Sequence, residues 1–269
     1  MRPKRTLGNW MGEGSAVSRS RVGNDVMDLL DPRCDGRQKD DPLLDRILIP
    51  HERDWMDRAS SDEMWLVRLW ALWASKEAAF KVYCKLAGPR AFQPRSFLCN
   101  LDAQTPPEDP SIIRIAGDVE ASGHDSLITV EGSSNQSYVH VIGWDGAVGR
   151  PRRTRLESGV EDIESEGPQA PLDALRSQFT PEEWVGVHSV QSAQARLLAR
   201  ERVRVHLSED RGREELPTEG PVEIRTSGDR PGKSSPQIWF AGRPIRELDL
   251  SLSHHGRFVA WALLIPTGG

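Results

Sequence analysis

Trp73, Glu77 and Lys81 stand four residues apart in the stretch Leu69-Trp70-Ala71-Leu72-Trp73-Ala74-Ser75-Lys76-Glu77-Ala78-Ala79-Phe80-Lys81. On a helix that spacing puts all three on one face. A carboxylate one turn from an amine, beside an indole, has the parts to hold a metal ion and a phosphate. In isolation such a Glu–Lys pair is an ordinary solvated ion pair worth about 0.2–0.5 kcal/mol. Two more blocks change its weight: Val22-Gly23-Asn24-Asp25-Val26-Met27-Asp28 upstream, and Leu250-Ser251-Leu252-Ser253-His254-His255-Gly256-Arg257-Phe258-Val259-Ala260 near the C-terminus.

The three blocks together resemble the 4′-phosphopantetheinyl transferase superfamily. Its members share a G-x-D strand end, a W-[ST]-x-K-E-[AS]-x-x-K helix and an S-H-[SDN]-x-x-x-[VA] strand turn. The resemblance extends loosely over residues 20–149 and 171–265. Three departures accompany it. Ala74 follows the helix tryptophan where a serine or threonine is usual, with Ser75 next to it. Met27 stands two places after Asp25, where surfactin-type members often carry an acid, while Asp28 matches the small synthases. The block order, with Asp25 and Glu77 first and Ser253-His254 last, is that of the small trimeric holo-acyl-carrier-protein synthases. The chain is about twice their length, and its second half is similar to the first half of the surfactin-type pseudo-dimers. It therefore reads as those two halves in swapped order.

The resemblance implies an enzyme that transfers the 4′-phosphopantetheine arm of coenzyme A to a serine of an apo acyl or peptidyl carrier protein, releasing adenosine 3′,5′-bisphosphate. Such chemistry must hold and neutralise two phosphates and bring a serine in line with the nearer phosphorus. Mg2+ takes oxygen ligands and keeps several waters, so one or two carboxylates with the diphosphate oxygens suffice. Asp25 and Glu77 are the expected ligands, with Asp28 or Glu52 as an additional or water-mediated one. Glu77, or a water it orients, would take the serine proton. Lys81 would stabilise the departing bisphosphate, flanked by Lys76, while Ser253 and His254 would hydrogen-bond phosphate. Arg196 and Arg200, four residues apart, would either hold the 3′-phosphate or form a solvated basic face. Lys233, in Arg230-Pro231-Gly232-Lys233, resembles the family's G-K-P adenine-side loop, although the next proline, Pro236, falls two places late. His51, His140, His188 and His255 show no ligand spacing and read as structural.

The elements that must position these groups are legible along the chain. Residues 1–20 read as a disordered lead, and 21–28 as a short strand ending in acidic residues. A Pro-, Asp- and Gly-rich loop follows through about Pro42. Pro50 opens a short helix. The long helix starts at Ser60, with Glu63 three residues on as a capping box, and stops at Gly88-Pro89. Residues 96–101, 112–116, 126–131 and 137–143 alternate like antiparallel strands. Residues 150–170, polar and without apolar periodicity, read as a linker that would tolerate an insertion near Gly159. Thr180-Pro181-Glu182-Glu183 then opens a helix, residues 189–207 form a basic one, and strands fall at 222–226, 236–241, 248–253 and 257–265. The expected fold is α+β, a pseudo-dimer in which each half packs a long helix on a small antiparallel sheet. Residues 21–149 would be the metal-binding catalytic half, and 171–269 the half that binds coenzyme A phosphates.

Composition sets the outer limits. The chain has 269 residues, 37% hydrophobic and 28% charged, enough for one large or two small globular domains. A net charge of −5 provides no bulk attraction to nucleic acid or anionic membrane. Cys34, Cys84 and Cys99 lack paired or metal-binding spacing, which suits free thiols in a reducing cytoplasm. No apolar run approaches a membrane span, and the polar N-terminus lacks the core of a signal peptide. The expected state is a cytoplasmic monomer. Two other classes stay open: a non-catalytic relative that binds coenzyme A or a carrier protein, and an unrelated magnesium-dependent phosphoryl or nucleotidyl enzyme. The second lacks a Gly-rich phosphate loop.

Overall fold

The computed structural model describes residues 20–34, 42–123, 127–145, 154–165, 170–209, 220–226 and 235–266. Residues 1–19, within the expected lead, and Lys233 lie outside these. The fold is α+β, as expected, and its first element is the G-x-D strand β1 (Val22–Asp28), buried along its whole length. Two short helices follow, α1 (Pro42–Ile47), which begins where the expected loop ends and to which no element was assigned, and α2 (Pro50–Asp57), with Pro50 in its first turn. Helix α3 (Asp62–Ala87) carries the Trp73/Glu77/Lys81 face. Its cap is Ser61 rather than Ser60: the Ser61 hydroxyl accepts from the Met64 N–H, and Gly88 ends the helix. Leu69, Leu72, Ala74, Ala78 and Val82 are fully buried, so the helix is held chiefly by packing.

Strands β2 (Phe97–Gln104), β3 (Ile113–Ala121), β4 (Leu127–Ser134) and β5 (Tyr138–Asp145) form an antiparallel meander. Strand β1 joins the edge of β5, giving the order β1-β5-β4-β3-β2. Helix α3 lies across β1 and β5. Gly23 permits the close approach, because a Cβ there would sit 2.0 Å from the Ala78 carbonyl oxygen. The helix carrying Glu77 and Lys81 thus rests directly on the strand carrying Asp25.

The second half begins with a correction. Residues 150–170 were expected to be a linker, but 154–162 form strand β6 (Thr154–Asp162), with Gly159 opposite Trp261. Its polar composition hid it. Only Leu156 and Val160 join apolar clusters, while Glu157 pairs with Arg155 and Arg202. An insertion at Gly159 would shift the register and turn inward-facing side chains outward, so the expected tolerance does not hold. Short helices α4 (Leu172–Leu175) and α5 (Pro181–Trp184) lead into α6 (Val190–Glu209). Strands β7 (Val222–Thr226), β8 (Pro236–Phe240) and β9 (Arg243–Ile245) form one small sheet, and β10 (Asp249–His255) and β11 (Phe258–Pro266) complete another, ordered β10-β11-β6. Helix α6 packs on β7, β10 and β11. Each half therefore sets a long helix against antiparallel strands, five in the first and two groups of three in the second.

The halves meet sheet to sheet. Val22, Val26, Ile142 and Trp144 pack against Phe258, Ala260, Ala262 and Leu264. Beside this apolar contact runs a polar ladder. The N–H groups of Val22, Asn24, Val26 and Asp28 donate to Asp249 Oδ2 (2.7 Å), Ser251 Oγ (2.9 Å), Ser253 Oγ (3.2 Å) and His255 Nδ1 (3.2 Å). The edge of β1 is thus closed by alternate side chains of β10 instead of by another backbone. Each bond contributes about 0.5–1.5 kcal/mol, whereas a buried unmet N–H costs about 1–3 kcal/mol. A slip of one residue would lose all four bonds, so the ladder fixes the register between the halves.

A candidate active site between the halves

Strand β1 delivers Asp25, α3 delivers Glu77 and Lys81, and the β10 end delivers His254. Asp25, Glu77, Trp70, Trp73, His254 and His255 line one cleft of about 310 Å³. Trp73 is half-buried and sets its ring edge-on to Phe92 at 5.7 Å, so it serves as wall as well as lining. At the β10–β11 turn, Gly256 adopts φ 55°, and a Cβ there would lie 2.4 Å from Asp28 Oδ2. Only glycine turns the chain this closely under β1.

Asp25 is 6% exposed, and its Oδ1 accepts from Ser253 Oγ at 2.7 Å and from Lys81 Nζ at 3.1 Å. Its Oδ2 has no partner among the described residues. Lys81 Nζ also donates to the Asn24 carbonyl at 2.6 Å, leaving one of its three N–H groups for a ligand. Glu77 makes no hydrogen bond among the described residues. Burial, and then the Asp25 charge, push its carboxyl up to about 7, with Lys81 pulling the other way. Two carboxylates lining one cleft, each with an oxygen unpaired among the described residues, suit a hard divalent cation. Among the described residues no cluster of three or more His, Cys, Asp or Glu side chains is placed to hold a metal, so Asp25 and Glu77 would share one with water. The cleft walls, then Lys81 and Arg196, hold His254 below the usual imidazole range, so it enters as a neutral donor.

Other expected site residues are placed differently. Glu52 and Lys76 do not face the cleft. They form a buried ion pair at 2.7 Å, both side chains fully enclosed. Lys76 Nζ donates further to the Pro94 and Phe97 carbonyls, and Glu52 accepts from the Cys99 and Ile49 N–H groups. Every polar position is filled within the first half, so Glu52 is no metal ligand and Lys76 no phosphate contact. Asp28 is likewise engaged: its carboxylate accepts from the Leu30 and Arg257 N–H groups and closes the turn between the halves. Ser253, with its hydroxyl between Asp25 Oδ1 and the Val26 N–H, is turned away from the phosphate role expected of it.

On α6 the two arginines part. Arg200 donates from Nη2 to both Glu183 carboxylate oxygens (2.8 and 3.0 Å) and from Nη1 to the Gln178 carbonyl, which makes it a strut. Among the described residues Arg196, 6% exposed, donates only to the backbone carbonyl and hydroxyl of Ser192, and its Nε, like that of Arg200, has no partner there. Burial lowers it to about 10, so it stays cationic at neutral pH without a paired carboxylate.

His255, expected to be structural, lines the cleft, and its Nε2 lies 3.9 Å from Cys34 Sγ. The sequence offered one faint signal for the β10 ladder: Asp249, Ser251 and Ser253 alternate with Leu250 and Leu252. Among the described residues no helix is long and apolar enough to cross a membrane. Compared with known proteins, residues 21–126 match the family model of the 4′-phosphopantetheinyl transferase superfamily, consistent with the resemblance of the first two blocks and with transferase activity; the Ser253-His254 block lies outside the matched segment. The matched segment contains Asp25, Glu77 and Lys81. No curated protein matches the chain.

Proposed function

We propose that this chain, with the phosphopantetheinyl transferase signature in its first half, moves the 4′-phosphopantetheine arm of coenzyme A onto a serine of an apo acyl or peptidyl carrier protein and releases adenosine 3′,5′-bisphosphate. The observation that carries the reading is the convergence of Asp25, Glu77 and His254 on one cleft from the two halves, with Lys81 against Asp25. Asp25 and Glu77 would hold Mg2+ through carboxylate oxygens. When bound, the ion supplies neutralisation of the diphosphate charge.

The chain's own residues do the rest. Glu77, held near neutrality, takes the carrier serine's proton directly or through a water it orients. Lys81 turns its remaining N–H toward the charge that builds on the leaving bisphosphate. His254 donates to a phosphate oxygen, and Arg196 supplies the cation for the 3′-phosphate on the second wall. Lys233 remains a proposed adenine-side contact.

The test is to incubate the protein with coenzyme A, Mg2+ and a panel of apo carrier proteins and to weigh the carriers. A phosphopantetheine mass gain that disappears with chelator supports the reading. Carrier binding without any mass gain identifies the non-catalytic alternative.

A further inference from the structure

We infer that Ser253 is a positioning residue through which the second half sets the metal-ligand geometry of the first. The inference rests on the proposed site at Asp25 and Glu77 and adds a role there that the phosphate reading of Ser253 does not contain. The Ser253 hydroxyl donates to Asp25 Oδ1 at 2.7 Å and accepts from the Val26 N–H at 3.2 Å, at 6% exposure. A hydroxyl has one proton, and here it goes to the carboxylate. Together with Lys81 at 3.1 Å it fixes Oδ1 and leaves Oδ2 without a hydrogen-bond partner among the described residues. Hydrogen bonds that orient a metal-binding carboxylate typically change metal affinity by about 10–100-fold when removed.

The ladder contains its own control. Ser251 sits two residues earlier on the same face of β10 and makes the same kind of bond, to the Asn24 N–H at 2.9 Å, at 2% exposure. Among the described residues Ser251 makes no bond to a carboxylate. Ser251→Ala therefore disturbs the junction between the halves as Ser253→Ala does, but leaves Asp25 held.

The experiment titrates full-length wild type, Ser251→Ala and Ser253→Ala with Mn2+, reading free ion by electron paramagnetic resonance, and then measures the KM for coenzyme A at saturating metal. Ser253→Ala is expected to weaken Mn2+ binding by about 10-fold or more, with the KM for coenzyme A within about twofold of wild type. Ser251→Ala should bind Mn2+ within about twofold of wild type, whatever both changes cost in melting temperature. Equal Mn2+ affinity for wild type and Ser253→Ala overturns the inference, as does an equal loss in both variants, or a rise confined to the KM for coenzyme A. Mass gain on a carrier by the wild type judges the transferase reading separately, so a positive transfer assay with an unmoved Ser253→Ala titration removes only the positioning role. A wild type that binds no Mn2+ overturns the positioning role, and the mass-gain assay alone decides the transferase reading.

Discussion

Lys76 and Glu77 are neighbours in sequence, yet they face opposite fates. Lys76 turns into the first half and meets Glu52 and two carbonyls at full burial. Glu77 turns into the cleft and finds no hydrogen-bond partner among the described residues. Helix α6 repeats the contrast, with Arg200 gripped by Glu183 while Arg196 has no paired carboxylate among the described residues. A buried charge that meets an opposite charge holds a fold together. A charge enclosed without one is left to complement a ligand. The difference lies in which positions of each group are already filled, and substitutions at the four residues can break or sharpen it.

The largest separation is expected at Glu77. Glu77→Ala should lower carrier modification by about 10²–10⁴-fold while leaving the melting temperature no lower than wild type, since no bond is lost. Asp25→Ala should be comparably inactive. Near-wild-type turnover of either folded variant at limiting Mg2+ would show the site to be misplaced.

Glu52→Ala should do the opposite. It strands the Lys76 ammonium and should cost about 3–5 kcal/mol in urea unfolding, with metal affinity retained by whatever fraction folds. Unchanged stability with lost Mn2+ binding would return Glu52 to the ligand set.

On α6 the expected effect is smaller in each variant but crossed between them. Arg196→Ala should weaken adenosine 3′,5′-bisphosphate binding about 10-fold by calorimetry, as for one charge-assisted hydrogen bond, with a smaller loss of stability than Arg200→Ala, since only its two bonds to Ser192 are removed. Arg200→Ala should lower stability and spare affinity in the folded protein. Parallel behaviour of the two would erase the distinction.

The smallest effect is a pH signature. The Glu77 carboxyl rises from 4.5 to about 7 on folding, so folding favours its protonated form. That contribution is fully present below 4.5 and is lost as pH rises through about 7. In chelator, Glu77→Gln should melt with wild type at pH 4, gain on it between these values and keep the gain above pH 7. Saturating Mg2+ should abolish the gain, and a constant offset at all pH values would contradict a perturbed Glu77.

How much was legible beforehand follows the range of the interaction. Strand 222–226 and the cap at Thr180 agree with the structure to the residue, and the long helix missed its cap by one position, because capping and periodicity act within a few residues. The 154–162 strand was missed because the β11 backbone that it pairs with lies about a hundred residues away and leaves no mark on its side chains. At the site, spacing alone put Glu77 and Lys81 on one helical face, and the G-x-D block put Asp25 on a strand. It gave Glu52, Lys76, Asp28, Ser253 and Arg200 the same ligand-facing status as Glu77 and Arg196.

By itself, then, the sequence determined the α+β class, the long helix and its termini, and the three blocks that could carry phosphoryl chemistry. Each of these depends on residue type and near-neighbour spacing. The tertiary structure decided which charges are neutralised and which stay available. The deciding partners, Glu52 for Lys76, Glu183 for Arg200 and Ser253 for Asp25, lie 24, 17 and 228 residues away. Desolvation, which raises Glu77 and lowers Arg196, exists only once the chain has closed around them.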